Sequence, residues 1–105
     1  GGHFALGTGL SAVAYFAATG VNAGVLAGYA GTGAPAAAAC RIPIHVRVGS
    51  SDPLQVNAFS DRSVFTAAGW VEGIDYQYTE FAAGHTYFTT DMDAHWAFFA
   101  PRRRP

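Results

Sequence analysis

The sequence predicts an α/β domain on a short parallel sheet, and three observations carry that reading. Strand-like and helix-like periodicities alternate along the chain. The clearest strand, Arg41 to Val48, sets Ile42, Ile44, Val46 and Val48 against Pro43, His45 and Arg47 in a period of two, and Gly49-Ser50-Ser51-Asp52-Pro53 ends it. No Asp, Glu, Lys or Arg precedes Arg41, so the first part of the chain has almost nothing suited to a water-facing surface and calls for burial by protein.

Gly2 to Ala18 predicts a helix, with Leu6, Leu10, Val13 and Ala17 on one face and Phe4, Tyr15 and Phe16 on others, apolar nearly all round and therefore buried. Gly7 and Gly9 inside it point to close packing on a neighbouring backbone, and Gly20 is placed as its C-cap. Val21 to Tyr29 is a continuous apolar run of the kind a strand covered on both faces shows, and Gly31 to Ala39 is a Gly, Pro and Ala loop. After the central strand, Phe59 to Ala68 predicts a helix capped by Ser60 or Asp61, with Val64, Phe65 and Ala68 inward and Gly69 at its end. Ile74 to Phe81 is the third strand, and a last helix from Thr90 or Asp91 carries Met92, His95, Trp96 and Phe99 until Pro101 stops it. About three parallel strands with flanking helices are too few to close this class of fold, so the chain is expected to be incomplete by itself, with residues 1–101 forming one portion of a domain and 102–105 a basic tail.

At 105 residues with 50% hydrophobic and 14% aromatic content, the chain is one domain at most and not a disordered tail. A net charge of −1 gives no case for nucleic acid or an anionic membrane, and Gly, Thr and Asn22 leave no apolar run of the roughly eighteen residues a membrane span needs. Nothing reads as a secretory signal, because no positive residue precedes the first apolar run. Cys40 is the single cysteine, and His3, His45, His85 and His95 lack metal-ligand spacing, so neither a metal nor another cofactor is expected.

Two strand ends carry the chemistry. Asp52 follows the second strand and Gly84-His85-Thr86-Tyr87 follows the third; right-handed crossovers put both ends at one sheet edge, where open α/β sheets place their sites. A carboxylate beside an imidazole fixes its tautomer and stabilises the imidazolium that forms when it takes a proton from a nucleophile. Thr86 and Tyr87 stand where they line the mouth of such a site, and His3 lines the pocket or, alternatively, is a helix-start histidine satisfied locally. Ser11 sits mid-helix without the closing glycine of a nucleophile turn, Ser50 and Ser51 are turn residues, and His45 and His95 fit packing roles.

With Gly49-Ser50-Ser51-Asp52-Pro53, Gly84-His85-Thr86-Tyr87, their separation and the opening Gly1-Gly2-His3-Phe4, the sequence resembles the C-terminal half of an α/β-hydrolase, most closely the polyhydroxybutyrate-depolymerase and feruloyl-esterase branch. The resemblance implies Asp52 as triad acid and His85 as triad base, with Tyr87, Thr86 and His3 near the substrate, a small ester or polyester. Gly1 and Gly2 match the last glycines of a Gly-x-Ser-x-Gly-Gly elbow, which puts the nucleophilic serine two residues before Gly1, in an N-terminal segment or a separate chain. The implied partner is that N-terminal half, and the chain alone is then inactive; the resemblance favours a secreted or periplasmic setting. The alternatives are an inactive fragment or self-associating module that pairs with a second copy, and a serine peptidase of the same fold.

Overall fold

A computed structural model describes residues 2–12, 16–28, 31–86 and 89–102. Its elements are α1 (Gly2–Ser11), β1 (Thr19–Asn22), a 3-10 turn at Leu26–Gly28, α2 (Ala34–Ala37), β2 (Ile44–Gly49), α3 (Gln55–Ala67), β3 (Tyr76–Phe81) and α4 (Thr89–Phe99). The strands form an open sheet in the order β1-β2-β3, parallel throughout, with Thr19 beside Ile44 and Ile44 beside Tyr76. The α/β class and the three-stranded sheet with flanking helices are as the sequence predicts.

Consecutive strand order with same-handed crossovers puts the connecting helices on one face. There α1 and α3 close a core of Leu6, Leu10, Val21, Ile44, Val46, Phe65 and neighbours, with α2 packed at its margin through Ala34. Phe65, fully buried, stacks on Tyr76 at 4.8 Å and meets Trp70 edge-on at 5.2 Å, a geometry that aromatic quadrupoles favour. The Trp70 Nε1–H donates to the Ile42 carbonyl at 2.9 Å, so the indole enters the core with its polar atom satisfied. Burying each such apolar side chain contributes about 1.5–3 kcal/mol. On the other face, α4 lays His95 and Phe98 against His45 of β2.

Several boundaries differ from the sequence expectation, each for a physical reason. The first helix ends at Ser11, and residues 13–15 lie outside the described set. Its close approach to the sheet is real: a Cβ on Gly9 would sit 2.2 Å from Thr19 Oγ1. Gly20 is not a C-cap but a β1 residue, with His95 packed directly over it. The first strand is Thr19–Asn22 rather than Val21 to Tyr29, because Ala23 turns the chain out of the sheet at φ 52° and Val25 and Leu26 bury themselves outside the ladder. Within the expected loop, Ala34–Ala37 forms one helical turn with proline at its start.

The helix expected over Phe59 to Ala68 begins earlier, at Gln55, so Ser60 and Asp61 are not its caps. Asp61 faces inward with Ala58 and Phe65, and its Oδ2 accepts the Leu26 N–H at 2.8 Å. Burial pushes the Asp61 pKa above the ordinary carboxylate value, with the Leu26 hydrogen bond pulling the other way. No helix among the described residues is long and apolar enough to cross a membrane.

Candidate functional site

The ends of β2 and β3 lie side by side, with Gly49 opposite Phe81 in the parallel register. Beyond that pair the two chains are stitched by backbone: the Ser50 N–H donates to Phe81 O at 2.8 Å and the Ser51 N–H to Ala83 O at 2.9 Å. The approach is so close that a Cβ on Gly49 would lie 2.3 Å from the carbonyl oxygens of both Ala83 and Gly84. Only glycine fits there. At Gly84, by contrast, an added Cβ meets nothing within 4 Å, so the requirement for a bare backbone falls on the acid's loop rather than on the residue before His85.

This stitching brings Asp52 and His85 together. Asp52 Oδ2 accepts from His85 Nδ1–H at 2.8 Å, while Oδ1 accepts the Leu54 N–H at 2.8 Å. The Gln55 N–H reaches the Asp52 carbonyl at 3.0 Å, so the acid both orients the imidazole and organises the first turn of α3. Its side chain is completely buried, whereas that of His85 is 64% exposed. A buried carboxylate with both oxygens hydrogen-bonded meets the cost of its desolvation, and it holds the proton of a neutral imidazole on Nδ1. The Nε2 lone pair then faces outward, and no side chain among the described residues bonds to it.

A cleft of about 300 Å³ opens beside His85, lined also by Gly2, His3, Asn22, Ala23, Leu54 and Thr86. Of the sequence-predicted site residues, Asp52, His85, Thr86 and His3 thus meet at one place, and Tyr87 lies outside the described residues. His3 is held by a distant group rather than a local one: its Nδ1 accepts the Val25 N–H at 3.0 Å. Ser11 is exposed and donates to Thr8 O, and neither it, Ser50, Ser51 nor Cys40 lines the cleft. Among the described residues no group of three or more His, Cys, Asp or Glu is placed to hold a metal ion.

Asn22 and Ala23 are cleft residues that sequence reasoning missed. Asn22 ends β1 and Ala23 follows it, at the same sheet edge as Asp52 and His85, and the strand-end rule applied to the correct boundary points to them. Asn22 is held from behind by α4, with His95 Nε2 at 3.0 Å from its Oδ1, and His95 Nδ1 in turn lies 3.1 Å from His45 Nδ1. Comparison of the chain with protein-family models, with curated proteins and with solved structures finds no match.

Proposed function

We propose that this chain supplies the acid and base of a serine hydrolase that cleaves carboxylic esters, the nucleophilic serine coming from polypeptide outside Gly1–Pro105 or from a separate chain. The observation behind the reading is the Asp52–His85 pair: a fully buried carboxylate 2.8 Å from Nδ1 of an imidazole whose other nitrogen is exposed beside a cleft. The resemblance of the two strand-end motifs to an α/β-hydrolase supports it further.

In this scheme the serine Oγ attacks the ester carbonyl as its proton passes to His85 Nε2, and Asp52, remaining ionised, stabilises the imidazolium. The imidazolium returns the proton to the departing alkoxide, leaving an acyl-enzyme. A water then loses its proton to Nε2, attacks the acyl carbon, and the serine recovers its proton as the acid leaves.

The test is labelling by a fluorophosphonate probe, applied to the protein together with every polypeptide that co-purifies with it, alongside turnover of short nitrophenyl esters and peptide substrates. Labelling of a serine that disappears in His85→Ala, with circular dichroism unchanged, is the expected result, and esters outpacing peptides separates esterase from peptidase. A protein that carries the elbow serine yet neither labels nor turns over esters overturns the reading.

A second reading, self-association, rests on Met92 and Trp96, which stand one turn apart on α4 and are 61% and 66% exposed. Sedimentation of the purified chain as a monomer across micromolar concentrations removes it.

A further inference from the structure

The cleft contains a histidine that the acid–base chemistry leaves unused. His3 Nδ1 accepts a backbone N–H from Val25, and an amide N–H can only donate. In the neutral imidazole the ring proton therefore sits on Nε2, a tautomer assignment forced by the partner. The ring is also wedged in place: a Cβ on Gly28 would lie 2.3 Å from the His3 ring, so that backbone passes directly against it. No described side chain bonds to His3 Nε2, and the residue lines the same cleft as His85.

Asn22, in the lining of the same cleft, repeats the arrangement. Its Oδ1 is engaged by His95 Nε2–H at 3.0 Å, which leaves the two amide hydrogens of Asn22 without a partner among the described residues. The cleft thus offers fixed donors on His3 and Asn22 and one acceptor, His85 Nε2. Among the described residues no Lys or Arg lines it, and the carboxyl group of Asp52 is bonded to His85, so the cleft offers no cation to pair with an anion and suits a neutral oxygen.

We infer that His3 Nε2–H, with the Asn22 amide, is a recognition site for a neutral acceptor oxygen, the carbonyl of a short acyl compound, held next to His85. This deepens the hydrolase reading and rests on it for the identity of the acyl group, but the binding site itself does not require turnover. At about 300 Å³ the cleft lies at the small end of ligand sites, suited to an acyl chain of a few carbons.

The test uses butyramide, a non-hydrolysable carbonyl probe, with butyrate and dipropyl ether for comparison, and follows the histidine ring nitrogens by NMR. Wild type is expected to give saturable shifts at His3 Nε2 and His85 with butyramide in the millimolar range, weaker shifts with butyrate and none with the ether. Two substitutions separate recognition from structure, since the Asn oxygen takes the place of Nδ1 and the Gln amide nitrogen takes that of Nε2. His3→Asn keeps the Val25 acceptor but moves its amide N–H2 to the place of ring Cδ2, away from that of Nε2, and is expected to lose about tenfold in affinity for butyramide, the worth of one hydrogen bond to a desolvated group. His3→Gln presents the donor and is expected to retain binding within about threefold.

Wild-type affinity in His3→Asn, or no saturable binding by the unmodified protein, overturns the inference. Because His85→Ala leaves both donors in place, it is expected still to bind butyramide. A failure of the hydrolase reading alone therefore shows as binding without fluorophosphonate labelling.

Discussion

Gly49→Ala is the sharpest probe of how the site is assembled. The added Cβ starts 2.3 Å from Ala83 O and Gly84 O and 2.9 Å from Ala83 C, all backbone atoms that no rotamer change can move aside. Reaching a tolerable 3.0 to 3.4 Å requires the loop to retreat by about 0.7 to 1.1 Å. A retreat of that size carries the His85 Nδ1–H···Asp52 Oδ2 contact from 2.8 Å to beyond hydrogen-bond range and strains the Ser51–Ala83 bond of 2.9 Å. Losing one hydrogen bond to a charged group costs about 1.5–3 kcal/mol, which in a domain of this size lowers the melting temperature on the order of 10 °C. The assay is a thermal melt together with the ring-nitrogen spectrum of His85, which in wild type carries its proton on Nδ1 and in the variant exchanges between tautomers. In an assembly containing the nucleophile, ester turnover falls by about 10²–10⁴-fold, the usual contribution of a positioned base. Gly84→Ala is the control, because its Cβ meets open space and its φ is not positive. A Gly49→Ala protein that melts like wild type with an intact Nδ1–H signal, or a Gly84→Ala protein equally damaged, refutes the account of a backbone-stitched pair.

Two further predictions concern the buried polar atoms of the core. Asp61 has its pKa raised in the folded state, so between that value and the lower one of the unfolded chain the native state holds the extra proton, and Asp61 contributes stability as pH falls through that window. Asp61→Asn keeps an acceptor for Leu26 N–H without the buried charge; it is expected to match or exceed wild-type stability at neutral pH and to lose that advantage toward pH 4, as read from urea melts across pH, whereas a constant difference refutes the assignment. The Tyr76 hydroxyl is a buried polar atom with no hydrogen-bond partner among the described residues, and burial raises its pKa. Tyr76→Phe is expected to stabilise the fold by up to about 1 kcal/mol in the same melts, and a loss of stability would reveal a partner for the hydroxyl.

The strand around Ile44 to Val48 was legible because β-branched residues alternate there with Pro43, His45 and Arg47 in a period of two, and the Asp52–His85 pair was legible because turn chemistry and glycine punctuate the strand ends. The first strand was misplaced because Val21 to Tyr29 is apolar but for Asn22, and composition alone does not distinguish a residue in a ladder from one, such as Leu26, buried in a 3-10 turn. The start of α3 was missed because its first turn is organised by Asp52, a residue outside the helix, whereas the pattern drew the cap to Asp61. Asp61 shares a helical face with Ala58 and Phe65, and that spacing was the available sign that it points into the core. Nothing local marks Gly49 as the residue on which a second loop rests, since that contact joins segments more than thirty positions apart.

The unequal exposure of the acid and the base follows from what comes after each strand. In the register that sets Gly49 beside Phe81, Asp52 stands three residues past one partner and His85 four past the other, so both reach the same height above the sheet edge. A helix begins three residues after Asp52, and the N–H of its N-cap, Leu54, needs an acceptor; one carboxylate oxygen is taken inward and the side chain is buried with it. No helix begins directly after Phe81. The chain runs through Ala82 to Thr86 with its backbone leaning on Gly49, and the imidazole stays at the surface, tethered through Nδ1 to Asp52. A buried, doubly bonded acid keeps its position, while an exposed imidazole held through Nδ1 offers its other nitrogen to whatever enters the cleft. That division suits proton transfer at His85 Nε2, and it comes from the alternation of strand and helix itself rather than from any feature added to it.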